Sequence, residues 1–391
     1  MFDSFGRKID YLRLSVTDRC NLRCQYCMPP NGVKWIPHAD ILSFEEILRL
    51  VRVMAELGIA KIKVTGGEAL TRRSLVDLIF RLKQTPGIEQ VTLTSNGLLL
   101  DENLDGLINA GLDALNISLD TLNAETFQRI ARSSGFEKIL SVIGKINSLP
   151  FPVKINCVPI RGINDDEIAA IAGLAKDKAA AVRFIELMPL GCAADFEMLK
   201  QNEVMAIIEK EYGLLKPLCN ITATSMVYST EPRSGEGSPL DGSMDAADEK
   251  LMEFAKQTPS FETGMDTSFK AGNGPAEYYS PQGFNGKIGF ISPMSHNFCQ
   301  KCNRIRLSAA GLLMPCLSSG TGLDLRSMIR GNKNKDTKDA GKSCSGSCLS
   351  GIELSDDELM QAIKKLIQEK PQAHLFANTV QKNREMFRIG G

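Results

Sequence analysis

The sequence predicts an α/β fold in the first half of the chain, with a parallel sheet that forms a barrel or part of one. Six short apolar runs alternate with helical patterns between residues 11 and 211, as expected for parallel strands with helices packed outside them. Capping sequences mark helix starts, as at Ser43-Phe-Glu-Glu46. Small and polar residues follow several runs, at the edge where βα barrels carry their chemistry.

Each element is predicted from its own pattern. Strands are predicted where apolar residues cluster, at residues 11–16, 59–65, 90–94, 113–118, 153–158 and 181–185. Helices are predicted between and after them, at residues 44–57, 75–82, 104–110, 124–131, 136–146 and 203–211. Asn164-Asp-Asp-Glu167 is expected to cap the helix after the fifth strand, and Ser355-Asp-Asp-Glu358 a helix near the C-terminus.

Two polar stretches, residues 221–268 and 332–351, interrupt this pattern. Because they offer few apolar residues for a core, we expect surface insertions, with a short helix at 246–257 in the first. The predicted organisation is a barrel core at 1–220, a flexible insertion at 221–268 and a C-terminal domain at 269–391. Cys344 and Cys348 are expected to be free thiols in the second insertion, with a metal or redox pair as the alternative.

Composition restricts the class of protein. With 391 residues, 43% hydrophobic and 24% charged, the chain can bury a full core. Its formal net charge is zero, so we expect no attraction to nucleic acid or to an anionic membrane. We find neither an apolar run of transmembrane length nor a targeting segment in the sequence. Eleven cysteines, several at metal-ligand spacing, suit a reducing compartment, so a soluble cytoplasmic protein is expected.

Three cysteines follow the first predicted strand, at Cys20, Cys24 and Cys27. Three thiolates bind three irons of a [4Fe–4S] cube and leave the fourth iron open, as a reactive cluster requires. The alternative is a structural zinc loop, for which His38 is the local fourth ligand. The spacing, which ends in Tyr26-Cys27, resembles the motif of the radical S-adenosylmethionine (SAM) superfamily.

A second set combines His296, Cys299 and Cys302 with Cys316. These four residues could form a Cys₃His zinc site, or the three thiolates could again leave one iron of a cube open. Arg304 and Arg306 follow Cys302 and lie on one face of a strand by alternation, which suits a polyphosphate or carboxylate ligand.

The whole chain resembles the molybdenum-cofactor biosynthesis protein A family of GTP 3′,8-cyclases. The resemblance rests on residues 12–20 and 288–296, on both cysteine sets and on the terminal Gly390-Gly391. It implies an incomplete (βα)₆ TIM-type barrel, with a C-terminal layer that carries the second cluster. It also implies a lyase that uses SAM and two [4Fe–4S] clusters to convert GTP to (8S)-3′,8-cyclo-7,8-dihydroguanosine 5′-triphosphate in molybdenum cofactor (molybdopterin) biosynthesis.

The implied chemistry begins with cleavage of SAM to a 5′-deoxyadenosyl radical. That radical takes a hydrogen from C3′ of GTP, and the carbon radical then attacks C8 of guanine. The implied partners are an unidentified electron donor and, downstream, a separate cyclic pyranopterin monophosphate synthase. Relatives often form homodimers.

The resemblance also assigns roles to single residues. Those implied to bind the clusters are Cys20, Cys24 and Cys27 for the first, and Cys299, Cys302 and Cys316 for the second. Those implied to contact SAM are Tyr26, Gly67, Ser118 and Met188. Those implied to contact GTP are Arg13, Lys63, Thr94, Lys154, Arg304, Ile305 and Arg306. Gly390 and Gly391 are implied to reach the active site and to be required for turnover.

The chain departs from the family pattern at two of these places. Lys63 stands where relatives have arginine, so a point charge replaces a planar fork. Ala69 replaces the proline that follows Gly66-Gly67-Glu68, so a looser turn is expected. Two other functions stay open: another radical SAM enzyme with an auxiliary cluster, such as a peptide modifier, and a metal-binding scaffold without enzymatic activity.

Overall fold

The computed structural model describes residues 1–218, 274–319, 322–331, 353–374, 376 and 386–388. One compact unit comprises residues 1–218 and 275–391, and a second comprises residues 219–274. The second unit lies outside the described residues apart from Gly274. Also outside them are the predicted insertion at 332–351 with Cys344 and Cys348, and the terminal Gly390 and Gly391.

The strands of the described residues form one sheet whose ends do not meet, so the barrel is open. Their order across the sheet is β12-β11-β10-β1-β2-β3-β4-β5-β6-β9-β8-β7. Their bounds are β1 Tyr11–Ser15, β2 Lys61–Thr65, β3 Gln90–Ser95, β4 Ala114–Ser118, β5 Val153–Cys157, β6 Ala181–Ile185, β7 Lys216–Pro217, β8 Glu277–Ser280, β9 Lys287–Ile291, β10 Arg304–Leu307, β11 Leu312–Met314 and β12 Leu323–Asp324.

Helices connect the parallel strands and pack outside them. Their bounds are α1 Phe44–Glu56, α2 Leu75–Lys83, α3 Leu100–Asn109, α4 Ala124–Ala131, α5 Phe136–Gly144, α6 Ile168–Asp177, α7 Gln201–Tyr212, α8 Leu325–Arg330 and α9 Asp356–Gln368. The predicted α/β fold is therefore confirmed, with α3 beginning four residues earlier than expected. No helix in the described part of the chain is both long and apolar enough to span a lipid bilayer.

The C-terminal segment contributes strands to the barrel sheet as well as a layer. β10 pairs in parallel with β1, and β9 pairs in parallel with β6. These two strands therefore flank the six predicted ones and widen the sheet at both ends. The second cysteine set lies in the chain between β9 and β12, with Cys299 and Cys302 before β10 and Cys316 after β11, so the sheet itself brings it to the barrel.

Strand alternation separates the core from the inner face of the barrel. On β1, Leu12 and Leu14 are fully buried in the main hydrophobic cluster, which also contains residues of the surrounding helices. Because successive side chains point to opposite faces of a sheet, Tyr11 and Arg13 are directed to the inner face. The fold thus places polar side chains inside an apolar shell.

One capping prediction is wrong. α6 begins at Ile168, after a 3₁₀ turn at Asp165–Glu167, and the side chain of Asn164 does not cap it. The Asn164 amide instead donates to the carbonyl oxygens of Asp120 and Val158, at 2.8 and 3.1 Å. It therefore ties the ends of β4 and β5 together. The boxes at Ser43 and Ser355 form as predicted.

Candidate active site

Charged and polar side chains line the inner face of the sheet in three rows. Strand register places Arg306, Arg13, Lys63 and Thr92 in the first row, Thr94, Asn116 and Lys154 in the second, and Ser118, Asn156 and Arg183 in the third. Neighbours within a row lie about 5 Å apart because that is the spacing of strands. The predicted GTP residues on these strands, apart from Ile305, are thus gathered on the inner face of the sheet.

Burial and mutual repulsion depress the pKa values of four of these cations. Burial, followed by Arg183 and other cations, lowers the pKa of Lys63 well below its ordinary value. Burial and then Arg183 lower the pKa of Lys154 to about 8. Burial also lowers the pKa of Arg13 to about 10 and that of Arg306 well below its ordinary value. Gathering like charges away from water is costly, so this face favours a polyanionic ligand that offsets the cost.

Arg183 on β6 was missed by the sequence analysis. It is only 4% exposed, and its guanidinium donates to the amide oxygens of Asn116 at 2.6 Å and Asn156 at 2.6 and 2.9 Å. The two asparagines hold the guanidinium without neutralising it. The available signal was a lone arginine inside the otherwise apolar strand Ala181–Ile185.

Arg304, Ile305 and Arg306 do not share one orientation. Ile305 is fully buried in the main hydrophobic cluster, opposite Leu12 on β1. Arg304 and Arg306 lie on the other face, where both influence the electrostatics of the cavity. Any contact of Ile305 with a ligand in the cavity therefore involves its backbone.

The first cysteine loop forms a tight turn. The carbonyl oxygen of Cys24 accepts from the N–H groups of Cys27 and Met28, at 2.8 and 2.9 Å. Burial, then Cys20 and Cys192, raises the pKa of Cys27 to about 12. Burial also raises the pKa of Cys20 to about 11 and, together with Cys27, that of Cys24. These thiols are thus close enough to repel one another as anions, so a bound cationic metal would favour their thiolate forms.

Three further residues lie close to this loop. Cys192 is near enough to influence the pKa of Cys27. Gly66 and Gly67 face the protein's own cysteine loop. A Cβ at Gly67 would collide with the carbonyl oxygen of Arg19 and lie 2.8 Å from that of Asp18. The glycines therefore allow the turn after β2 to pack directly on the cysteine loop.

Glu68 fixes this turn despite the absence of proline at Ala69. Its carboxylate is buried and accepts from the backbone N–H of Asn96 at 2.7 Å, the hydroxyl of Ser95 at 3.0 Å and the backbone N–H of Leu70 at 3.1 Å. The side-chain amide nitrogen of Asn96 also donates to the Sγ of Cys20 at 3.8 Å. The hydrogen bonds of the Glu68 carboxylate thus restrain the turn in place of the fixed φ angle of a proline. They also connect the ends of β2 and β3.

The remaining predicted SAM residues lie at the carboxyl ends of β1, β4 and β6. The hydroxyl of Tyr26 donates to the carboxylate of Asp120 at 2.6 Å, and the same carboxylate accepts from Val158 N–H at 2.9 Å. Ser118 is the last residue of β4. Met188 packs against a small cluster that includes Met314 and Leu317, beside the second cysteine set.

The second cysteine set forms around another short turn. The N–H of Cys302 donates to the carbonyl oxygen of Cys299 at 3.1 Å. Burial raises the pKa of Cys299, and the neighbouring Cys316 and Cys302 raise it further. A backbone hydrogen bond from His374 acts in the opposite direction. For Cys302, Lys370 and Arg304 outweigh the effect of burial and lower the pKa to about 7. These three thiols therefore lie together, between buried cations.

Each donor set consists of three free thiols, the number of protein ligands that a cube with one open iron requires. Within residues 1–218, 274–319, 322–331 and 353–374, no group of three or more His, Cys, Asp or Glu is arranged to hold one metal ion. His296, the fourth ligand in the zinc alternative for the second set, lies 3.2 Å from the Ser295 hydroxyl.

The C-terminal tail returns to the first cysteine set. Phe387 is buried, its ring meets Trp35 edge-on at 6.2 Å, and Arg388 donates to the carbonyl oxygen of Lys34 at 2.8 Å. Burial raises the pKa of Cys27, and a backbone hydrogen bond from Phe387 acts against that shift. The residues just before Gly390 and Gly391 therefore contact the first cysteine loop.

Comparison with known proteins identifies the family to which the chain is similar. The radical SAM superfamily model matches residues 14–175, and the Molybdenum Cofactor Synthesis C model matches residues 236–376. The chain is 36% identical over 395 residues to the GTP 3′,8-cyclase of Desulforamulus reducens, covering 100% of both proteins. It is also 36% identical to the one from Clostridium perfringens strain 13 and 38% identical to the one from Syntrophomonas wolfei, again over 100% of each.

Proposed function

Because this chain belongs to the GTP 3′,8-cyclase family of radical SAM enzymes, we propose that its barrel binds GTP and SAM side by side. The product is (8S)-3′,8-cyclo-7,8-dihydroguanosine 5′-triphosphate, formed by joining C3′ of the ribose to C8 of guanine. Among the features of the site, the rows of buried and half-buried cations beside two cysteine triads support this substrate most strongly.

The triphosphate is bound by the cations of the inner face. Arg13, Lys63 and Arg306 form one row, while Lys154 and Arg183 belong to the two rows beyond it. A triphosphate carries enough negative charge to offset the repulsion that lowers the pKa of Lys63. Arg304 adds a further guanidinium near Cys302. This charge orients the nucleotide so that its base faces the second cysteine triad and its ribose faces the first.

The cysteine triads fit two [4Fe–4S] clusters, one on Cys20, Cys24 and Cys27 and the other on Cys299, Cys302 and Cys316. When bound, the first cluster supplies the electron that cleaves SAM, and the second offers an open iron to the guanine. SAM is held by Tyr26, Gly67, Ser118 and Met188. The apolar shell excludes water from the site. Gly390 and Gly391 are required for turnover, as the family resemblance implies.

Other partners follow from the same reaction. An electron donor must reduce the first cluster, and a synthase must consume the cyclised nucleotide to make cyclic pyranopterin monophosphate. We further propose a cytoplasmic location, because exposed iron and free thiols need a reducing compartment. A homodimer is proposed from the family resemblance alone.

Anaerobic turnover tests the proposal. Reduced protein supplied with SAM and GTP is expected to yield 5′-deoxyadenosine and a cyclised nucleotide, and air-exposed protein neither. A peptide modifier would be unaffected by Arg304→Ala and Arg306→Ala, whereas the cyclase loses turnover with both. About eight irons and eight labile sulfides per chain would support two cubes. One zinc per chain without labile sulfide would indicate a metal-binding scaffold.

A further inference from the structure

Lys370 follows α9 and lies next to the second cysteine set, Cys299, Cys302 and Cys316. Its side chain is almost fully buried, with 2% exposed. The ammonium donates to the carbonyl oxygen of Arg304 at 2.8 Å and to that of Pro315. Arg304 follows Cys302 by two residues, and Pro315 directly precedes Cys316. One cation therefore holds the backbone beside two of the three cysteines.

Arg7 holds the backbone at the third cysteine. Its guanidinium donates to the carbonyl oxygen of Cys299 at 2.8 Å. It also donates to the carbonyl oxygens of Pro371 at 2.8 Å and Gln372 at 3.0 Å, and it pairs with the buried carboxylate of Asp3 at 2.6 Å. The N-terminal segment and residues 370–372 are thus joined to the cysteine turn through one guanidinium.

His374 extends the same set of contacts. Its Nε2 lies 2.7 Å from the carbonyl oxygen of Pro293, in the segment that leads to the cysteine turn. A backbone hydrogen bond also joins His374 to the thiol of Cys299, where it counters the effect of burial on the pKa. The segment from Lys370 to His374 therefore contacts the surroundings of all three cysteines.

We propose that Lys370 and Arg7 are positioning residues for the second cluster, and that they fix the three cysteines in a binding arrangement before iron is inserted. The inference rests on the assignment of that cluster to Cys299, Cys302 and Cys316 in the proposed function. Hydrogen bonds that hold the groups around a metal ligand commonly govern metal affinity.

The burial of Lys370 agrees with this positioning role. A buried lysine is rare unless it is paired, and the two carbonyl oxygens that accept from its ammonium both lie beside cysteines of the second set. Neither Lys370 nor Arg7 belongs to the predicted set of substrate contacts. Their substitution is therefore expected to affect binding of the second cluster rather than binding of the substrate.

Iron content distinguishes a positioning role at the second cluster from a general contribution to the stability of the protein. Lys370→Met keeps most of the side-chain volume but removes the charge and the donors. The matched control is Lys365→Met, on the exposed face of α9. After anaerobic reconstitution, wild type and Lys365→Met are expected to hold about eight irons per chain, and Lys370→Met about four. Electron paramagnetic resonance should show the SAM-binding cluster retained in Lys370→Met.

Each other outcome has a defined meaning. About eight irons in Lys370→Met, with the wild-type spectrum, would overturn the inference. About four irons in the wild type itself would instead overturn the proposed function. Should Lys370→Met lose both clusters, Arg7→Lys decides, because it retains the charge beside Asp3 but loses the fork. Selective loss of the second cluster there supports the inference, and retention or loss of both contradicts it.

Discussion

The guanidinium of Arg183 on β6 lies 2.6 Å from the amide oxygen of Asn116 on β4, two strands away. The bond crosses β5, where Asn156 accepts from the same guanidinium. Both acceptors are uncharged amide oxygens, so they fix the orientation of the guanidinium without forming an ion pair with it. This arrangement prepares a cation for a ligand that arrives later, which reduces the entropy lost on binding.

Arg183→Lys should weaken GTP binding while SAM binding is retained. Lysine preserves the charge but not the planar fork, so the bonds to both asparagines cannot all form. The loss of charge-assisted hydrogen bonds is worth about 1.5–3 kcal/mol, or about 10- to 150-fold in the KM for GTP. Arg81→Lys, on the exposed side of α2, is the control. An unchanged KM for GTP would show that the fork is dispensable.

Lys63→Met should stabilise the protein when no nucleotide is present. Lys63 lies between Arg13 and other cations, and burial and repulsion oppose its charge. Replacing it with an apolar side chain of similar length is expected to raise the free energy of unfolding by about 1–3 kcal/mol, measured in urea. GTP should then raise the melting temperature less than it does for wild type. A less stable ligand-free variant would contradict this account of the cavity.

The pH dependence of kcat/KM for GTP should show a fall above pH 8 that depends on Lys154. Burial and Arg183 lower the pKa of Lys154 to about 8 in the free protein. Lysine is charged below its pKa and neutral above it, so attraction to the triphosphate is lost as the pH rises through that value. Lys154→Arg stays charged throughout this range and should remove the fall. A fall that persists unchanged in this variant would assign it to another group.

The same shift has a consequence for stability. Between pH 8 and the ordinary lysine pKa, the unfolded chain binds more protons at this position than the folded one. The stability contribution of Lys154 to the ligand-free protein therefore rises with pH across that range, whereas the affinity for GTP falls.

Gly67→Ala should release the first cysteine loop. The added Cβ would collide with the backbone of Arg19 and Asp18, neither of which is a flexible side-chain end. We expect incomplete loading of the first cluster and at least a tenfold loss of SAM cleavage, measured as 5′-deoxyadenosine. Gly144→Ala is the matched control because no atom lies within 4 Å of its added Cβ. Normal iron content and cleavage in Gly67→Ala would show that the loop can move aside.

The sequence predicted the elements well because their signals are local. The first six strands and their helices follow from apolar runs and caps, and both cysteine sets follow from spacing. The pairing of β9 and β10 with β6 and β1 joins strands far apart in the chain. Such long-range pairing leaves no local pattern, which is why the C-terminal segment was expected as a separate layer.

The site was predicted unevenly for the same reason. Family resemblance indicated Arg13 and Lys154, but Arg183 depends on two asparagines contributed by other strands. Glu68 likewise owes its role to Ser95 and Asn96 on the next strand. Asn164 shows the converse error, since a capping sequence was overridden by tertiary hydrogen bonds to Asp120 and Val158.

The most direct test of the central claim follows one hydrogen atom. Anaerobic, reduced protein is supplied with SAM and with GTP that carries deuterium at C3′, and the 5′-deoxyadenosine is analysed by mass spectrometry. Our account predicts that deuterium passes from GTP into 5′-deoxyadenosine and that the cyclised nucleotide lacks it. 5′-Deoxyadenosine without deuterium, or a yield that does not depend on GTP, would contradict the claim that this cavity places C3′ of GTP beside SAM.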